Sequence, residues 1–121
     1  MAFQTRSQRY AGEIFELVRA TRSEKYKTMV QKLPFLIRTA GLAQALAFTE
    51  SGTDADHLLL NDLARVLGFS TREELLRRSR NDSLLKYARL THEVMDALLW
   101  FKRFAQGTSS PPMAVSPGGS L

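Results

Sequence analysis

Residues 33–52, LPFLIRTAGLAQALAFTESG, decide how the rest of the chain is read. Between Gly41 and Gly52, the residues Leu42, Ala43, Ala45, Leu46, Ala47 and Phe48 leave Gln44 as the only polar side chain from 42 to 48. A helix that is apolar nearly all round belongs inside a domain. Ala and Leu favour helix, and a glycine on either side supplies the backbone freedom with which a helix is entered and left. The stretch 42–50 therefore predicts a short buried helix, with Leu46 and Phe48 filling the space between close-packed alanines. So short a helix is marginal alone in water, and longer helices must pack around it. Gln44, if buried, needs a hydrogen-bond partner, and a neighbouring backbone group is the favoured one.

Outward from this element the pattern stays helical. Phe3, Tyr10, Ile14 and Leu17, with Ala11 and Val18 beside them, form one face of a first helix over residues 2–20,. Gly12 lies within it, either at a close helix contact or as a tolerated accident. Ser23 is a fair N-cap for a second helix marked by Tyr26, Met29, Val30 and Leu33, which Pro34 kinks or restarts,. After a polar turn at 51–56, Leu58 to Leu60, Leu63, Ala64, Val66 and Leu67 make a fourth helix stopped at Gly68. Ser70 followed by Glu73 has the form of a capping box and predicts a helix from Thr71 to about Arg80,. Asn81 or Asp82 then caps a last helix over 83–106, roughly 36 Å long, whose apolar face is Tyr87, Thr91, Val94, Leu98, Phe101 and Ala105, with Gly107 ending it,. There is no alternating strand pattern. The fold class expected is all-α, a single compact bundle of about five to six helices with a long C-terminal helix. The helical domain spans 1–106, and 107–121, rich in Pro, Gly and Ser, is expected to be a flexible tail,.

At 121 residues the chain is long enough for one real core and short for two,. No cysteine is present, which removes disulfides and thiolate metal sites and fits a reducing cytoplasm,. No apolar run reaches the ~20 residues of a membrane span, so a soluble, cytoplasmic protein without a membrane partner is expected. The two histidines, His57 and His92, stand in no metal-binding spacing, the glycines at the helix ends occur singly, and Asp54 with Asp56 reads more readily as a helix start than as an ion site,. The sequence calls for no catalytic residue, metal or cofactor.

Charge is the informative quantity. The net charge is +5, and residues 19–38 alone carry Arg19, Arg22, Lys25, Lys27, Lys32 and Arg38 against a single acid, Glu24, a surplus equal to that of the whole chain. Such a surplus is either a footprint for polyanions or a solvated helix face. Lys102 and Arg103 lie in WFKRFA near the end of the long helix, where they complement its dipole or flank an exposed aromatic, because Trp100, Phe101 and Phe104 cannot all share one narrow core stripe,. A further basic group, Arg72, Arg77, Arg78, Arg80, Lys86 and Arg89, is diluted by Glu73, Glu74 and Asp82.

KLPFLIRTAGLAQALAF, followed by Tyr87, Leu90, Thr91, Glu93 and the block Trp100 to Ala105, resembles the small subunit of the type III-B CRISPR effector, the Cmr RNA-silencing complex. The likeness covers about residues 8–106. Ala43 stands where that family usually has a second Gly, Thr39–Ala40 replaces an Asn-containing pair, and Phe101 replaces Leu. The resemblance implies a non-catalytic helical subunit of an antiviral ribonucleoprotein, stacking in copies and on other Cmr subunits beside guide RNA and target RNA. The RNA-binding candidates are then Arg19, Arg22, Lys25, Lys27, Lys32, Arg38, Lys86, Arg89, Lys102 and Arg103. The alternatives are a helical protein-protein adaptor and another nucleic-acid-binding helical domain. A helix-turn-helix over 59–78 is discounted, because Glu73 and Glu74 would stand where base contacts are made.

Overall fold

The computed structural model describes residues 5–20 and 23–109, and these form six helices with no strand among the described residues. They are α1 (Arg6–Ala20), α2 (Glu24–Ala40), α3 (Leu42–Glu50), α4 (Asp54–Val66), α5 (Arg72–Asn81) and α6 (Leu84–Ser109). Phe3, Arg22 and residues 110–121, which hold most of the expected tail, lie outside the described residues.

The second helix starts where the sequence predicted, with the Ser23 hydroxyl accepting from the Tyr26 amide at 3.3 Å. It then runs unbroken past Pro34, so the proline neither restarts nor ends it. Its end is set by Gly41, at φ +88° and ψ 160°, a region essentially closed to residues with a Cβ,. The Gly41 amide closes α2 onto the Ile37 carbonyl at 2.9 Å, and its carbonyl opens α3 by accepting from Ala45 at 3.0 Å. Glycine offers α3 no side-chain cap. The Tyr87 hydroxyl of α6 takes that place, accepting from the Ala43 amide at 3.2 Å and lying 3.4 Å from where a Cβ on Gly41 would sit.

Helix α3 is less enclosed than its composition suggested. Leu42, Ala45, Leu46 and Thr49 are buried, whereas Gln44, Ala47 and Phe48 face outward, Phe48 at 54% exposure. The expectation that Phe48 fills the core is therefore overturned: at i+2 from Leu46, it lies about 200° round the helix from it. Gln44 needs no internal partner for the same reason. Thr49, the buried polar residue, bonds back to the Ala45 carbonyl at 2.8 Å.

The remaining boundaries follow from caps. Thr53 and Asp56 form a reciprocal capping box at the start of α4, which accounts for the carboxylate of Asp56,. A Cβ on Gly52 would fall 2.0 Å from that carboxylate, so the box depends on a residue without one. At the next junction the cap is one residue later than expected. Thr71, not Ser70, accepts from the Glu74 amide at 3.2 Å, while Glu74 Oε1 accepts from the Ser70 amide at 3.1 Å. Arg72 ties α5 to its neighbours through Glu50 at 2.9 Å and Asn61 at 3.2 Å. Asp82 does not cap α6 as expected, but accepts from Arg78 of α5. Helix α6 continues through Gly107 to Ser109, so that glycine is no terminator. Gly12 meets nothing within 4 Å, which leaves no close helix contact to explain it.

The core draws on every helix, from Tyr10, Ile14 and Val18 of α1 to Val94, Leu98 and Phe101 of α6. Helices α1 and α6 run in the same sense, since Ser7 meets Trp100 and Phe15 meets Phe104. One charged group is buried with a partner: Asp62 of α4, 9% exposed, accepts from the Tyr26 hydroxyl of α2 at 2.7 Å. Burial pushes its carboxyl above the ordinary aspartate range, opposed by the Tyr26 bond and the nearby Arg65 charge,.

Three stability outcomes are expected. Gly41→Ala costs about 1–3 kcal/mol by forcing a Cβ into a glycine conformation, whereas Gly12→Ala gains up to about 1 kcal/mol; urea midpoints of the two variants check the contrast. Leu46→Ala costs roughly 2–5 kcal/mol and Phe48→Ala far less, by the same assay. Because the folded pKa of Asp62 is raised, its contribution is full below the ordinary aspartate value and is lost as pH climbs through the raised value,. Asp62→Asn, which keeps an acceptor for Tyr26, should therefore fare better relative to wild type at pH 7 than at about pH 3.5. A constant difference across that range would contradict the assignment.

Candidate nucleic-acid interface

The structure distributes the candidate cations over separate places. Arg19 and Arg103 come together through one aromatic cluster. The Arg103 guanidinium lies 5.4 Å from the Trp100 ring centre, Trp100 stacks on Phe104 at 5.6 Å and 27°, Phe104 meets Phe15 edge-on at 5.4 Å, and Arg19 lies 5.8 Å from Phe15. Arg19 also pairs with Glu16 at 3.5 Å. Lys102, half-buried, neighbours Arg103 on α6.

A second grouping is Lys25 and Lys32 on α2, which line a shallow depression with Glu24, Met29, Phe48 and Asp56. The Lys32 ammonium sits 5.6 Å from the Phe48 ring centre, so the residue expected in the core instead carries a cation on the surface. The third grouping places Lys86 and Arg89 of α6 around a small cavity with Arg78, Phe69 and Glu93. Arg38 is exposed in the last turn of α2, Lys27 is buried at 9% exposure, and Arg22 is outside the described residues.

Four arginines are held in ion pairs, and among the described residues the other cations, Arg9, Lys27, Arg65, Arg77 and Arg80 included, are not. Arg6 pairs with Asp96 and Glu93, Arg72 with Glu50 and Glu73, Arg78 with Asp82, and Arg19 with Glu16. Lys25, Lys32, Arg38, Lys86, Arg89, Lys102 and Arg103 form no ion pair with an acid among the described residues. Apart from Arg19, then, the candidates hold no intramolecular ion pair there. The acids that do pair with arginine pair mainly with arginines that the sequence reading did not single out or treated as diluted. An i, i+4 relation, as in Arg78 and Asp82, was readable from spacing; the pairing of Arg6 with Asp96, ninety residues away, was not.

Other titratable groups serve local ends. Tyr10, beneath Arg6 and Arg9, has its hydroxyl pKa raised by burial and by the Glu93 charge, against the pull of those arginines. His57 Nε2 lies 2.6 Å from the Glu50 carbonyl oxygen, and His92 is exposed with Asp96 at 3.8 Å. No group of three or more metal-ligating side chains gathers among the described residues, and no helix there is long and apolar enough to cross a membrane.

Comparison with known proteins supplies the family. Residues 4–108 match the family described as CRISPR-associated protein (Cas_Cmr5). The chain is 51% identical over 108 residues to the CRISPR system Cmr subunit Cmr5 of Thermus thermophilus, covering 85% of this chain and 95% of that protein. It also superposes on the crystal structure of a CRISPR-associated Cmr5 family protein from Thermus thermophilus, with a TM-score of 0.82 and 50% identity, covering 86% of this chain and 97% of that one. Sequence along nearly the whole helical domain and the path of its backbone thus agree, and the chain belongs to the Cmr5 family of CRISPR-associated proteins.

Proposed function

We propose that this protein is the small, non-catalytic subunit of a Cmr ribonucleoprotein, working in the cytoplasm in antiviral defence. Several copies stack on one another and on other Cmr subunits, and exposed cations steady guide RNA and target RNA through phosphates without reading sequence. The observation that carries the reading is the basic surface of α2 and α6. In a Cmr5 family chain, Lys25, Lys32, Arg38, Lys86, Arg89, Lys102 and Arg103 of these two helices keep side-chain exposure and hold no ion pair among the described residues. Cations left unpaired keep their full attraction for a polyanion, whereas paired ones must first give up a partner. Buried Lys27 drops out of the contact set, because its side chain is largely enclosed.

Contact at Lys32, Arg38, Lys86 and Arg89 neutralises about four phosphates, which gives single-strand binding a slope of log affinity against log salt of about −3. Each of these residues changed to Ala should flatten the slope by somewhat under one and weaken all RNA sequences alike. The measurement is target-RNA affinity, over a range of salt, of a reconstituted complex carrying all four changes. Affinity and slope equal to wild type, with the complex intact, would replace this reading with that of a protein-protein adaptor.

A further inference from the structure

We propose that the aromatic cluster of α1 and α6 is a nucleobase-stacking site, in which an unpaired base of a single strand takes the place of Arg103 over the Trp100 ring. The inference rests on the RNA-facing function proposed above, and adds to its phosphate contacts a contact to bases. The ring is held ready for such a partner. The Trp100 indole N–H donates to the Ser7 hydroxyl at 3.2 Å, Phe104 supports one face at 5.6 Å, and Arg103 lies over the ring at 5.4 Å. Phe104 is in turn braced edge-on by Phe15, which is itself 42% exposed. Arg103 is exposed and has no acid partner among the described residues, so the ring contact is what holds it there. A base offers the ring a larger flat surface than a guanidinium does, and the displaced Arg103 then reaches the adjoining phosphate, with Lys102 beside it. An anionic polymer with planar groups satisfies both halves of the site; an acidic protein segment would satisfy the cations and leave the ring uncovered.

Trp100 is the only tryptophan in the chain, so its emission reports on this site alone. Full-length protein is titrated with oligoadenylate about twelve residues long and with an abasic ribose-phosphate strand of equal length and charge, following Trp100 emission and, separately, the anisotropy of a label on the strand. Expected are quenching by oligoadenylate only, and about tenfold or more tighter binding of the base-bearing strand. Trp100→Leu should remove that preference and leave the abasic affinity and its salt dependence unchanged. If that variant does not fold, the emission of the wild-type protein still decides. Equal affinities with unchanged emission would overturn the stacking site while leaving the phosphate contacts standing. Failure of both strands to bind would overturn the RNA-facing function and this site with it. Emission that responds to protein concentration and not to oligoadenylate would make the cluster an interface between copies, and would overturn the stacking site as well.

Discussion

The corner at Gly41 is the constraint on which the rest of the bundle hangs. Helices α2 and α3 follow one another with a single residue between them, and that residue carries both the last amide of one and the first carbonyl of the next. It does so here at a positive φ, which makes glycine the sole comfortable occupant,. The amides left over at the start of α3 then need an acceptor from elsewhere, and Tyr87 brings one from α6,. Its hydroxyl thereby fixes the N-terminal end of α6 to the α2–α3 corner, far along the chain. With that corner set, α1 pairs alongside α6 through Ser7, Trp100, Phe15 and Phe104, and α4 closes on α2 through the buried Tyr26–Asp62 bond.

That closure explains why a carboxylate is tolerated inside. An Asp without a partner would be neutralised or expelled, whereas the Tyr26 hydroxyl supplies a short bond that favours the charged form and Arg65 adds an opposing charge,. Burial still dominates, and the carboxyl remains easier to protonate than a free one. The bond selects one register of α2 against α4, since a shift of one residue would turn either group out of reach.

How much of this was legible depended on whether the signal was local. Ser23, the 42–50 helix and the six-helix order follow from caps and periodicity within one element, and the structure agrees; on α6 the expected face holds at Val94, Leu98, Phe101 and Ala105, while Tyr87 and Thr91 are half-buried and Leu90 and Ala97 are enclosed as well. Phe48 was misplaced because composition shows that a helix is apolar without showing how wide its buried side is, and the face of α3 with Gln44, Ala47 and Phe48 is left outward. The capping residue of α5 slipped from Ser70 to Thr71 because both Ser-x-x-Glu and Thr-x-x-Glu occur there, and geometry alone chooses between them. The separation of the candidate cations into groups was not visible at all. Lys86 and Arg89 do join Arg78, as their nearness in sequence suggested, but that they lie apart from Arg19 and Arg103 depends on helix direction, which no single stretch of sequence contains.

The length of α6 changes the meaning of the cations near its end. Lys102 and Arg103, read against a helix stopping at Gly107, are placed where positive charge offsets the carbonyl dipole. The helix instead runs to Ser109 and has no basic residue in its last turn. The dipole's influence falls away within that turn, so it accounts for little of the placement of Arg103, which stands more than a turn before the end,. What Arg103 touches is the Trp100 ring. An arginine over an indole adds about 0.5–1 kcal/mol at an exposed site, too small a contribution to require this arrangement for folding. Phe101, one position away, carries the burial on this stretch of α6, being wholly enclosed. Trp100 and Phe104 pack only partly against the core, and the side of them that stays open, a braced aromatic surface beside unpaired cations, is accounted for better by what approaches the helix from outside than by what lies beneath it.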